Sequence, residues 1–164
     1  MSQYEELTTT MTDQQYLVEA LTEMGYKPGV QTAGTALRGY GGVSWNRPVQ
    51  VTIPREQLQG ALASVGFGRD EAGVFQAVID DLDRKCSGLD ESWLGRVAQA
   101  YKERQTMAVA KTKGYVFRGR EVVQTPQGPK VQLRFAVRER RGEENHHAGK
   151  THHRRNRRKR KQLY

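Results

Sequence analysis

No histidine occurs before position 146 of this 164-residue chain, and Cys86 is its single cysteine. Histidine is the side chain most used for proton transfer near neutral pH, so its absence from the body weighs against catalysis. A carboxylate-dependent enzyme is the catalytic alternative that remains. One cysteine excludes an internal disulfide framework and fits a reducing compartment. No stretch approaches the run of about 18 apolar residues that a membrane span needs. The opening MSQYEELTTTM lacks the cationic-then-apolar order of a secretory signal. These absences lead us to expect a soluble, cytoplasmic protein with no membrane span, no cofactor, no metal and no catalytic residue.

What the chain has in excess is positive charge, +9, and its distribution matters more than its sum. Residues 138–164 hold 11 of the 27 Lys and Arg but only Glu139, Glu143 and Glu144, a net of +8, which leaves +1 for residues 1–137. The expected organisation is therefore a nearly neutral domain at 1–137, long enough to bury a core, and a disordered basic tail at 138–164.

Within the body, TDQQYLVEALTEMGY predicts a helix over about 13–24. Thr12 or Asp13 can cap it, Leu17, Ala20, Leu21 and Met24 recur at helical spacing, and Gly25 ends it. A second helix is predicted after Asp90, with Trp93, Leu94, Val97, Ala98 and Tyr101 as its stripe and Gly114 as its end. Elsewhere the apolar period is two. Tyr4 to Met11 reads as a first strand, Val49, Val51 and Ile53 alternate, ASVGFG continues the pattern, and VFQAVIDDLD reads as a strand running into an acidic turn. Two last strands flank TPQGP, a turn with Pro and Gly where turns want them. The expected fold class is α+β: two helices packed on one face of a mostly antiparallel sheet.

The order of these pieces carries a resemblance. MSQYEEL, LTEMGY, LRGYGG with Arg47 beyond it, SVGF, VFQAVIDDLD, AYKERQ, KGY and the last hairpin follow one another over residues 1–138. In this order the chain resembles an uncharacterised family: a hypothetical open reading frame of red-algal plastids and cyanobacteria, with bacterial relatives that are domains of unknown function. The resemblance implies an accessory or adaptor role beside an ATPase of the AAA type, near which bacterial relatives are often encoded. The chain departs from the family at GYGGVSWNR, which is looser than the usual Gly-Tyr-x-Gly turn with Arg close behind, and in the added basic tail.

Four clusters are candidates for function. The first is the tail, where Arg154, Arg155, Arg157, Arg158, Lys159, Arg160 and Lys161 can neutralise phosphates and release counterions. It lacks a stacking aromatic until Tyr164, so RNA, DNA or a ribonucleoprotein would be held with little sequence preference. His146, His147, His152 and His153 invite a metal, but their Lys and Arg neighbours repel one. The second cluster is ALRGYGGVSWNR, where Arg38, Tyr40, Trp45 and Arg47 make a candidate protein-partner loop whose aromatics otherwise pack back on the sheet. The third is Asp80, Asp81 and Asp83, which could bind a divalent cation or serve as the acids of a carboxylate-dependent enzyme and are otherwise read as a solvated turn, without calcium-loop spacing. The fourth is Cys86, beside Arg84 and Lys85 but without a base to activate it.

The reading that follows is a non-catalytic binding or accessory protein whose tail anchors it to nucleic acid or a ribonucleoprotein. The runner-up is an adaptor for an AAA-type ATPase with a dispensable tail.

Overall fold

Asp13 closes the open N-terminus of the first helix, its Oδ1 accepting from the backbone N–H of Gln15 at 2.8 Å and of Tyr16 at 3.4 Å. This satisfies donors that no helical carbonyl can reach. In the computed structural model, which describes residues 2–138, that helix is α1 (Gln14–Glu23), and Leu17, Ala20 and Leu21 are its buried stripe. Asp90 does the same for the long helix α3 (Glu91–Thr112), accepting from Trp93 N at 3.0 Å. The tail residues singled out above, 146–161, lie outside the described residues.

The described residues fall into two compact units, divided between Ala108 and Val109. In the first, five strands form one sheet in the order β1-β5-β4-β3-β2: β1 (Tyr4–Thr8), β2 (Gly29–Arg38), β3 (Ser44–Ile53), β4 (Val65–Arg69) and β5 (Phe75–Asp80). Every neighbouring pair is antiparallel. One face meets the helices. Val51, Ile53, Val65, Phe67, Phe75, Ala77 and Ile79 share a buried cluster with Leu17, Ala20 and Leu21 of α1 and Trp93, Leu94, Val97 and Tyr101 of α3. Burying each large side chain in it stabilises the fold by about 1.5–3 kcal/mol. Polar links fix the helices. The Tyr101 hydroxyl accepts from Thr12 N at 3.2 Å and Asp13 N at 2.9 Å, Trp93 Nε1 donates to the Tyr26 hydroxyl at 3.1 Å, and Arg104 pairs with Glu23. The α+β arrangement read from the sequence is therefore found.

Two local features depart from a plain sheet. Pro48 in β3 has no N–H to give the ladder and lies where the register shifts between Thr35 and Leu37; the register shifts also between Val30 and Thr35, where β2 bulges. Gly34 lies in this bulge at φ 80°, where a Cβ would stand 2.4 Å from that of Pro48. On the sheet face away from the helices, Gly66 and Gly68 of β4 leave a slot. The arm formed by the far ends of β2 and β3 folds into it, placing Leu37 and Val49 over Gly66 and the Pro48 carbonyl over Gly68. Tyr4, Leu37, Val49, Ala63 and Val78 form a second, smaller buried cluster there.

The expected acidic turn after β5 is instead a short helix, α2 (Asp81–Cys86), with Asp80 as its cap. A three-residue 3-10 turn (Tyr40–Gly42) joins β2 to β3, so much of the expected loop is paired strand. The second unit contains a long hairpin, β6 (Tyr115–Thr125) with β7 (Gly128–Val137), a two-stranded sheet of its own. Its register shifts once, between Phe117 and Gly119. Among the described residues no helix is long and apolar enough to cross a membrane.

Candidate functional site

The slot in β4 decides where the predicted partner residues go. Because the arm lies on the sheet, Trp45 is half-buried against the smaller core cluster. Its ring carries the Arg47 guanidinium 4.3 Å above its centre, and Arg47 also pairs with Glu6 of β1 at 2.6 Å. A cation held by an indole face and a carboxylate is fixed in direction although largely exposed. Trp45 and Arg47 line a small recess with Glu6, Arg69, Asp70 and Gln76. Arg69 lies 4.8 Å over the ring of Phe75. Asp70 is already committed. Its Oδ1 accepts from Ala72 N and Val74 N at 2.9 and 3.0 Å, and its Oδ2 from Gln76 Nε2 at 3.0 Å, which shapes the β4–β5 turn.

The other two predicted residues lie apart from this recess, at the arm's tip. Arg38 pairs with Ser44 where the strands end, and Tyr40 stands 59% exposed in the 3-10 turn. Of the four, the structure thus joins Trp45 and Arg47 and leaves Arg38 and Tyr40 outside. Glu6, Arg69 and Gln76 were missed because strand pairing, not sequence proximity, brings them there. The recess is thus lined by two guanidinium groups and two carboxylates, with Arg47 paired to Glu6 and the Gln76 amide to Asp70.

The aspartates after β5 have a different character from a solvated turn. Asp80 and Asp83 are each 1% exposed. Asp83 accepts from Leu62 N at 2.8 Å, Ala63 N at 3.0 Å and Ser87 Oγ at 3.0 Å, tying α2 to the loop before β4. Asp80 accepts from Leu82 N at 3.0 Å, Asp83 N at 3.3 Å and the Ser2 hydroxyl. Asp81 accepts from Gln3 N at 2.9 Å, and this bond, with Lys85 nearby, holds its carboxyl below the usual range. Their lone pairs are spent on the chain itself. Cys86 is exposed, and the described residues contain no group of three metal-ligating side chains.

Tyr4 abuts this corner and donates its hydroxyl to the Ser64 carbonyl at 3.1 Å. Burial, followed by the charges of Asp80 and Asp83, raises its pKa well above the ordinary 10.0. A raised folded-state value means the neutral phenol is favoured in the native protein. The associated stability is present below about pH 10 and is lost as pH climbs above it. The urea midpoint of the wild type is therefore expected to fall more steeply above about pH 10 than that of Tyr4→Phe. Parallel curves would show that the phenol does not contribute.

Charge follows the structural division. Residues 1–108 hold 10 Lys and Arg against 14 Asp and Glu, a net of −4. Residues 109–138 hold seven cations against Glu121 alone, a net of +6, and residues 139–164 add +7. The body that sums to nearly zero is thus an acidic unit followed by a basic one.

No curated protein and no solved structure matches the chain. A family described as a protein of unknown function, DUF1257, matches residues 20–128. That span runs from the second half of α1 through β2 to β5 and α3 to the turn of the β6–β7 hairpin, in agreement with the uncharacterised family that the order of motifs resembles. The chain belongs to this DUF1257 family of unknown function.

Proposed function

We propose that the protein is a non-catalytic binding or accessory protein of the cytoplasm, which its basic C-terminal tail anchors to nucleic acid or a ribonucleoprotein. The observation that carries this reading is the segregation of charge: residues 1–108 are net −4 while residues 139–164 are net +7, with seven cations packed into 154–161. A polyanion is attracted to one end of such a chain and repelled by the other. The recess around Trp45 and Arg47 then faces a protein partner, and Arg38 and Tyr40 extend that surface. The bonding of Asp80, Asp81 and Asp83 to backbone donors supports a non-catalytic role, since those carboxylates were the visible candidates for acid–base work.

Full-length protein is expected to bind structured RNA and duplex DNA with an affinity that falls steeply with salt, by a slope of roughly 0.9 per phosphate contact on duplex DNA. A chain stopped after Val137 is expected to lose most of that affinity and most of the slope. Binding of both forms in a salt series measures it. If the full-length protein fails to bind at physiological salt, the nucleic-acid reading falls and an adaptor role beside an AAA-type ATPase becomes the leading one.

A further inference from the structure

The β6–β7 hairpin combines an apolar, aromatic face with a cationic composition. In an antiparallel pair, opposed residues share a face. The register therefore puts Tyr115, Phe117, Val122, Val131, Phe135 and Val137 on one face. Several of these are open to solvent, Tyr115 by 41% and Phe117 by 43%, and Phe117 meets Phe135 edge to face at 5.8 Å. The same segment is strongly cationic. Arg118 projects from the register shift directly beside Phe117, Arg120 follows, Lys130 and Arg134 lie on the opposite face, and Glu121 is the only acid in residues 109–138. An isolated two-stranded ribbon with an uncovered aromatic face is marginal in water, so this face gains by being covered.

We propose that this hairpin is a stacking platform for single-stranded nucleic acid. The inference rests on the nucleic-acid reading above and assigns to the hairpin the part that the tail cannot play. Charge complementarity names the occupant: Arg118, Arg120, Lys130 and Arg134 against Glu121 leave residues 115–137 at a net of +3, which draws phosphates to a ribbon whose exposed rings are flat and apolar. Unpaired bases present π-faces to such rings, with Arg adding cation–π contact. A duplex keeps those faces stacked inside and offers the rings nothing.

The test uses the full chain, a fluorescent uridine oligomer of about 20 nucleotides and a duplex of equal length, each titrated across a salt series. Arg118→Gln with Arg120→Gln, Arg120 lying opposite Leu133 on the aromatic face, is expected to reduce the single-strand salt slope by about 1.4, at roughly 0.7 per lost contact. Phe117→Leu keeps an apolar residue in the hairpin and removes the ring. It is expected to weaken single-strand binding by about tenfold without changing the slope or duplex binding, and Phe117→Tyr is expected to restore it. If these variants bind as wild type does while Arg154→Gln, Arg155→Gln, Arg157→Gln and Arg158→Gln together abolish binding, the hairpin platform is overturned and the tail anchor survives. If the unaltered chain binds neither nucleic acid, both readings fail. Stronger binding to duplex than to single strand, with Phe117→Leu silent, overturns the stacking role.

Discussion

Asp83→Ala is expected to destabilise the first unit by about 3–5 kcal/mol, a large part of the roughly 5–15 kcal/mol that holds a typical domain folded. The carboxylate is 1% exposed and its bonds run to Leu62 N, Ala63 N and Ser87 Oγ, all at 3.0 Å or less. Alanine removes the acceptor and leaves the Leu62 and Ala63 N–H groups facing a gap, each costing about 1–3 kcal/mol if unpaired, while the Ser87 hydroxyl keeps the Gly60 carbonyl at 3.0 Å as its acceptor. Asp83→Asn keeps one carbonyl oxygen and is expected to cost less, although its amide must point one N–H group at another. Urea unfolding followed by the fluorescence of Trp93, which is buried in the helix-side core of the same unit, gives the comparison. A loss below about 1 kcal/mol for alanine would mean that water takes the carboxylate's place and that α2 is not pinned as described.

Gly68→Ala is expected to cost about 3 kcal/mol, and more than Gly66→Ala, although both introduce one methyl group. The new atom at Gly68 would stand 2.7 Å from the Pro48 carbonyl oxygen, which can move only with the backbone of β3. At Gly66 the nearest neighbours are Leu37 Cδ1 at 2.5 Å and the Val49 methyls at 3.0 Å, and the leucine end can turn aside. Relief at Gly68 requires the arm to lift, so Trp45 emission should shift to the red in Gly68→Ala even where the unit stays folded. The reverse order of costs would show that the backbone yields more easily than Leu37 does.

How much of this was legible beforehand depends on how local the cause is. Both long helices were readable because caps, stripes and terminal glycines act over a few residues, and Asp13 and Asp90 cap where their positions indicated. The α+β class followed from the same signals. The aspartates were misread as a solvated turn because what makes them structural is a pair of backbone donors about twenty residues upstream. The glycines of SVGFG fitted a strand pattern, but nothing in their alternation says that another strand must lie against them. For the candidate site, the sequence grouped Arg38, Tyr40, Trp45 and Arg47 by proximity. Folding regrouped Trp45 and Arg47 with Glu6, Arg69 and Gln76 across four strands. Charge was legible in sum, yet the boundary that separates acidic from basic lies after Ala108, inside the run that reads as one continuous helix.

The bulge at Pro48 and Gly34 bears on what happens when many copies meet. β2 is the outermost strand of its sheet and carries no charged side chain from Gly29 to Leu37, the composition that invites another chain to add itself as a further strand. Its ladder to β3 is broken between Val30 and Thr35, so its rim offers only short straight lengths to a newcomer. The opposite rim, β1, is five residues long. A proline without a donor and a glycine in left-handed backbone therefore act as guards against fibre growth, a form of solubility written into main-chain geometry rather than surface charge.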